Sequence, residues 1–208
     1  MALSPHSVLN RSAKPSKAAS SPPSGQVELV VDEQHFKRVV TQGILQARTS
    51  IAIATADFKA MMVPTGMVGR SRPSGGRAES IVSVLHRMAD KGVETRLLHA
   101  GVPSGPALRQ LRLAAAKGVT IRRCPRIHAK AVIIDCRAMY MGSANLTGAG
   151  LGAKGADRRN IEWGVWTESP ALIDAVLDQF DALWEGQRCD ACKLGKEHCP
   201  VPLEEPRL

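Results

Sequence analysis

His128 and Lys130 stand two residues apart in an apolar, β-branched run from Ile127 to Ile134. On a strand, residues i and i+2 point to the same side, so an imidazole and an ammonium would project into one space. That pairing suits phosphoryl chemistry: the lysine can bind a phosphate oxygen while the histidine attacks phosphorus. A second station follows at Gly142-Ser143-Ala144-Asn145. Small residues there let backbone N–H groups approach an anion, and the Ser hydroxyl and Asn amide can add hydrogen bonds. A third is Glu162, set among Ile161, Trp163, Val165 and Trp166. A carboxylate in so apolar a strand requires a partner, and a histidine is the natural one.

The charges point the same way. Lys and Arg number 28 against 19 Asp and Glu, a net charge of +9 that attracts polyanions or anionic membranes. No carboxylate occurs between Glu94 and Asp135, whereas Arg122, Arg123, Arg126 and Lys130 all fall there, so the stretch leading to His128 is expected to contact phosphates. A long Gly-, Pro- and Ser-containing segment from Phe58 to Arg77 carries Lys59, Arg70, Arg72 and Arg77 without an acid. It reads as a substrate-side loop or as a disordered insertion. The end of the chain holds Cys189, Cys192, His198 and Cys199, a candidate structural zinc set, with free or redox-active thiols as the alternative. An iron–sulfur cluster would need a fourth thiolate, which only Cys124 or Cys136 could supply.

These groups need a frame. Residues 1–25 are rich in Ser, Pro and Ala and read as a disordered basic tail, 26–187 as one catalytic domain and 188–208 as a Cys-rich tail. From 26 onward, helical repeats alternate with β-branched runs: a helix over Asp32–Arg48 with Asp32 as N-cap, a strand over 50–55, a helix over 77–91 stopped by Gly92, a strand over 93–99, a helix over 106–117 stopped by Gly118, and a strand over 119–123. Strands over 127–134, 139–141 and 161–167 and a helix over 170–185 complete the domain. The alternation predicts an α/β/α sandwich with a mixed, largely parallel sheet. No internal repeat, export signal or membrane-length apolar run is visible, and the protein is expected to be soluble and cytoplasmic.

Taken together, the stations resemble the phospholipase D superfamily, whose pattern is H-x-K-x4-D followed by G-S-x-N. His128, Lys130 and Asp135 match the first part; Gly142, Ser143 and Asn145 match the second; Asn160-Ile161-Glu162 is similar to the downstream N-x-E of that family. A second H-x-K triplet, His35-Phe36-Lys37, serves as a control, because it lies in an expected helix and has Gln42 where the pattern wants Asp. The resemblance implies a covalent phosphohistidine on one histidine, protonation of the leaving oxygen by a second, and no catalytic metal. With one motif per chain, it implies a homodimer related by a two-fold axis. His128 would be nucleophile or general acid, Lys130 and Asn145 phosphate ligands, Ser143 an orienting donor, and Glu162 the group that fixes the imidazole tautomer. Asp135 has the opposite strand parity from His128 and would support the fold of the site.

A small basic body without an amphipathic anchor favours DNA or RNA as substrate. Aromatic residues make up only 3%, so extensive base stacking is not expected. Phospholipid is the runner-up, with Met61, Met62, Val63 and Met67 as a candidate apolar lip. A catalytically idle nucleic-acid-binding dimer is the reading from another class; it would be expected to show a degraded motif, and this motif is intact.

Overall fold

The computed structural model describes residues 27–59, 61–64, 78–101 and 105–206. The expected N-terminal tail lies outside them, as do Met67, Arg70, Arg72 and Arg77. The elements in chain order are β1 (Val27–Val31), β2 (Ser50–Thr55), β3 (Met62–Pro64), β4 (Ala78–Ser80), α1 (Ile81–Asp90), β5 (Glu94–His99) and α2 (Gly105–Ala115). They continue with β6 (Val119–Arg123), β7 (Ala131–Ile134), β8 (Ala138–Gly142), β9 (Trp163–Thr167), α3 (Pro170–Trp184) and the short α4 (Gly195–His198).

Seven strands form one sheet in the order β1-β9-β8-β7-β2-β5-β6, and β3 and β4 pair separately. The α/β/α sandwich is as expected, but the balance of strand directions is not. Only β2–β5 and β5–β6 are parallel; β1–β9, β9–β8, β8–β7 and β7–β2 are antiparallel. β7 and β8 are joined by residues 135–137, too few for a crossover helix, so they return as a hairpin, and β9 pairs antiparallel with β8 across the longer connection 143–162.

Strand alternation builds a core on each face. On β2, Ile51 and Ile53 join the cluster containing Leu85 of α1 and Leu111 of α2, while Ala52 and Ala54 face Ile173, Phe180 and Trp184 of α3. The helices present the matching stripes: Ile81, Val84, Leu85 and Met88 are buried along α1, which Ser80 caps by accepting the Ser83 N–H at 3.1 Å. Truncating a side chain such as Leu85 to Ala would cost about 2–5 kcal/mol.

The segment expected as one helix over Asp32–Arg48 is instead a π-helical turn at Phe36–Thr41 and a 3-10 turn at Ile44–Gln46. Gly43 lies between them, pressed so closely on the sheet that a Cβ would sit 2.5 Å from Ile134 Cδ1. Asp32, with φ at 46°, is no helix cap; its backbone N–H donates to the Glu162 carbonyl at 3.1 Å.

Candidate active site

The antiparallel hairpins bring the three sequence stations to one edge of the sheet. His128 and Lys130 precede β7, whose first residue pairs with the end of β8, and the Gly142 N–H donates to the Lys130 carbonyl at 3.1 Å. The end of β8 in turn meets the start of β9: Gly142 pairs with Gly164, and the Ser143 N–H donates to the Trp163 carbonyl at 2.9 Å. Ala54 near the end of β2 pairs with Ala131, so the carboxyl ends of the parallel strands share this edge. That is where ligands bind in open α/β sheets.

His128 is exposed, and the Lys130 ammonium lies 3.1 and 3.2 Å from its two ring nitrogens while donating to the His128 carbonyl at 2.8 Å. Burial lowers the Lys130 pKa, an effect opposed by the nearby Glu162 carboxylate. Asn145 is held from across the sheet: its Oδ1 accepts from the Asp57 N–H at 3.0 Å and from the Thr55 hydroxyl at 3.3 Å. The Asn145 amide thus has its carbonyl oxygen committed and its amino group left for an anion.

Glu162 is 7% exposed, and the partner expected for it is not the one it has. Its carboxylate accepts from the Ser143 hydroxyl and from Asn160 Nδ2 at 2.9 Å, rather than from the His128 imidazole. Ser143 Oγ also accepts the Trp163 N–H at 3.0 Å. Ser143 therefore fastens the carboxylate to the turn after β8.

The G-S-x-N corner rests on a buried chain of hydrogen bonds that sequence reasoning missed. His35 Nδ1 lies 2.9 Å from the Asp32 carbonyl, which makes it the protonated nitrogen; Nε2 then accepts from the Tyr140 hydroxyl at 3.0 Å, and Tyr140 accepts the Ala144 N–H at 3.2 Å. Burial lowers the His35 pKa, in keeping with a neutral ring, and pushes Tyr140 up to about 12. A Cβ at Gly142 would lie 2.5 Å from the Tyr140 hydroxyl, and one at Gly164 would lie 2.3 Å from the Tyr140 ring, so glycine is required in both strands. The alternation of Tyr140 with Gly142 was the available signal.

Asp135 lies beyond the opposite end of β7 from His128. Its Oδ1 accepts from the backbone N–H groups of Arg48, Thr49 and Ser50 and from the Thr49 hydroxyl, at 2.7–3.0 Å. Burial alone would raise its pKa, but these hydrogen bonds outweigh it and hold the carboxyl below its ordinary value. Asp135 anchors the chain entering β2, and it does so from a turn with φ at 54°, outside the strand whose parity was expected to direct it.

The cations expected to meet substrate divide into two groups. Lys59 follows the bridge between Phe58 and Leu146, next to the Asn145 corner, and pairs with Asp57 at 2.9 Å. Arg126 lines a cavity of about 370 Å³ together with His128, and Arg188 and Lys196, which the sequence did not single out, line it too. Arg122 and Arg123 are spent on structure: they pair with Glu205 and Glu204 at 3.5 and 3.3 Å, and Arg122 also donates to the Trp184 carbonyl. The acids that answer this cationic stretch come from the far end of the chain. Of the described residues of the proposed apolar lip, Met61 and Val63 are buried at 1% exposure and Met62 is open.

Of the proposed zinc set, Cys189, Cys192 and Cys199 line the cavity beside His128, whereas His198 is exposed and outside its lining. Cys124 joins them there. Among the described residues no three metal-ligating side chains already stand in coordinating geometry.

The same sheet edge carries His128, Lys130 and the oriented Asn145 amide, residue types suited to binding and attacking a phosphate. Residues 40–184 match the family described as cardiolipin synthase, PLD-like domain, and the chain belongs to that phospholipase D-like family. No curated protein matches it. Among solved structures it is similar to Nuc, a phospholipase D family member from Salmonella typhimurium, with 19% identity and a TM-score of 0.58 over 78% of this chain and 95% of that one. NucT from Helicobacter pylori is similar at 15% identity and a TM-score of 0.56, covering 77% and 96%. The phosphatidylserine synthase of Haemophilus influenzae Rd KW20 shares the fold at 12% identity and a TM-score of 0.55, covering 76% of this chain and 37% of that one. No helix among the described residues is long and apolar enough to cross a membrane.

Proposed function

We propose that the protein is a cytoplasmic nuclease of the phospholipase D type, cutting DNA or RNA through a phosphohistidine and without a catalytic metal. Its working form is a homodimer in which His128 of one copy attacks phosphorus and the partner's His128 protonates the leaving oxygen. Water then attacks the phosphohistidine and breaks its phosphorus–nitrogen bond, while the second imidazole takes a proton from that water and so recovers the one it gave to the leaving oxygen. Lys130 and Asn145 hold the phosphate oxygens. Glu162, anchored by Ser143 and Asn160, supplies negative charge beside Lys130.

The observation that carries this reading is the exposed His128, with Lys130 folded against it and no second described histidine beside it. The chemistry needs two imidazoles, and the other described histidines are engaged or elsewhere: His35 and His99 are buried, His86 pairs with Asp90, and His198 lies in α4. A second copy is the simplest source. Support comes from an uncovered apolar strip beside the site. Leu29, Val165 and Met141 are cross-strand neighbours on one face of β1, β9 and β8, with Val27 and Trp163 on the same side. Leu29 and Trp163 are 65% and 68% exposed, which suits burial against a second molecule. The cationic residues Lys59, Arg126, Arg188 and Lys196 near the site favour a polyanionic substrate.

The test is cleavage in EDTA, with wild type and His128→Ala incubated against single-stranded DNA, duplex DNA, RNA and a phosphatidylcholine emulsion. Cleavage of nucleic acid by the wild type alone is expected. Lipid turnover would replace the nuclease with a phospholipase, and tight binding without cleavage would indicate an idle nucleic-acid-binding dimer.

A further inference from the structure

Four of the five cysteines meet at one place. Cys124 ends the run after β6, while Cys189, Cys192 and Cys199 belong to the segment after α3, yet all four line the same cavity of about 370 Å³. Cys136, the fifth, is exposed beyond the far end of β7, where its sulfur lies 3.9 Å from the Ser50 hydroxyl. The C-terminal segment is docked rather than trailing: the Arg123 N–H donates to the Glu204 carbonyl at 2.9 Å, and Leu203 packs on the core beneath α3. The convergence of thiols is thus built into the fold from two distant parts of the chain.

The surroundings suit an anionic, sulfur-rich group. Arg126 donates to Cys192 Sγ at 3.4 Å, and Arg126, Arg188 and Lys196 line the cavity and offset the charge that four thiolates would bring. Pro125, Ile127, Leu183, Leu194 and Pro202 supply its apolar walls. The four cysteines that line the cavity supply the thiols that four-cysteine iron–sulfur clusters use, and His198, the nitrogen donor of the expected zinc set, lies outside the lining.

We propose that Cys124, Cys189, Cys192 and Cys199 ligate an iron–sulfur cluster of the four-cysteine class, clamping the C-terminal segment to the loop that leads into His128. The four thiols lose their protons as the preassembled cluster binds, and the thiolate–iron bonds join β6 to the segment after α3. Cys124 precedes His128 by only four residues, so the clamp also sets where the catalytic loop begins.

The experiment uses the full chain, expressed in iron-sufficient cells and purified without oxygen. Iron and acid-labile sulfide are expected at about four each per chain, with the broad visible absorption of thiolate–iron charge transfer. Replacing any one of Cys124, Cys189, Cys192 or Cys199 by Ser should remove most of the iron, whereas Cys136→Ser, His198→Ala and His128→Ala should retain it. A wild type that is folded by circular dichroism yet free of metal would overturn the proposal, with no variant needed. One zinc per chain with four sulfur neighbours by X-ray absorption would overturn the cluster, and full iron in Cys124→Ser would overturn the ligand set.

Discussion

The chain contains two His-x-Lys triplets, and they lead opposite lives. At His35 the imidazole is fully buried, its ring nitrogens taken by the Asp32 carbonyl and the Tyr140 hydroxyl, and Lys37 points to solvent. At His128 the imidazole is exposed and Lys130 lies against its ring. The same residue types two positions apart make a structural strut at a π-helical turn and a contacting pair ahead of a strand. The helical turn separates Lys37 from His35, whereas the irregular segment before β7 lets Lys130 fold back onto the His128 ring, so the local backbone decides whether the ammonium can reach the imidazole.

The comparison is broken most sharply by exchanging losses between the two histidines. His128→Ala should lower phosphodiester cleavage by about 10³-fold or more while leaving the urea midpoint within error, since it removes the proposed nucleophile from an exposed position. His35→Ala should instead destabilise the fold by about 2–4 kcal/mol, through the cavity and the unpaired Tyr140 hydroxyl. Paired activity and denaturation curves decide this; a His35→Ala protein as stable as the wild type would show that the buried chain does not hold the fold. The lysines sharpen the contrast at smaller scale: Lys130→Ala should cost roughly 10²-fold in turnover, and Lys37→Ala should change neither turnover nor midpoint.

Asp135 gives a third, smaller effect with a definite pH sign. Its native pKa is depressed, so the unfolded chain takes up the proton first. Its contribution is complete above the unfolded value of about 3.9 and is lost as pH falls through the native value. Asp135→Asn should therefore destabilise by about 1–3 kcal/mol at neutral pH, and the gap to wild type should narrow below that range. Urea titrations at a series of acidic pH values would show a constant gap if Asp135 worked by packing alone. Cleavage by the folded variant should stay near the wild-type rate, because the carboxylate lies at the other end of β7 from His128.

Much of the site was legible in the residues. The β-branched runs marked β2 and β6 to the residue, and Gly92 and Gly118, at φ of 86° and 89°, stop their helices as expected. The types and order of His128, Lys130, Gly142, Ser143, Asn145 and Glu162 pointed to phosphoryl chemistry, because side-chain type is a local property. What the residues did not show were the partners brought from far along the chain. Thr55 and Asp57 orient Asn145, Asp32 holds the backbone of Glu162, and Ser143 takes the carboxylate that a histidine was expected to hold.

The sequence by itself determined which atoms could do phosphoryl chemistry and which strands would carry them, since each depends on residue type and a repeat of two or 3.6 positions. Only the tertiary structure decided that four of the six sheet pairings run antiparallel, that Arg122 and Arg123 answer Glu205 and Glu204, and that Cys124 joins three cysteines more than sixty residues away. Those outcomes depend on which strands meet and in what register, and burial of a face settles them only when every element competing for that face is in place.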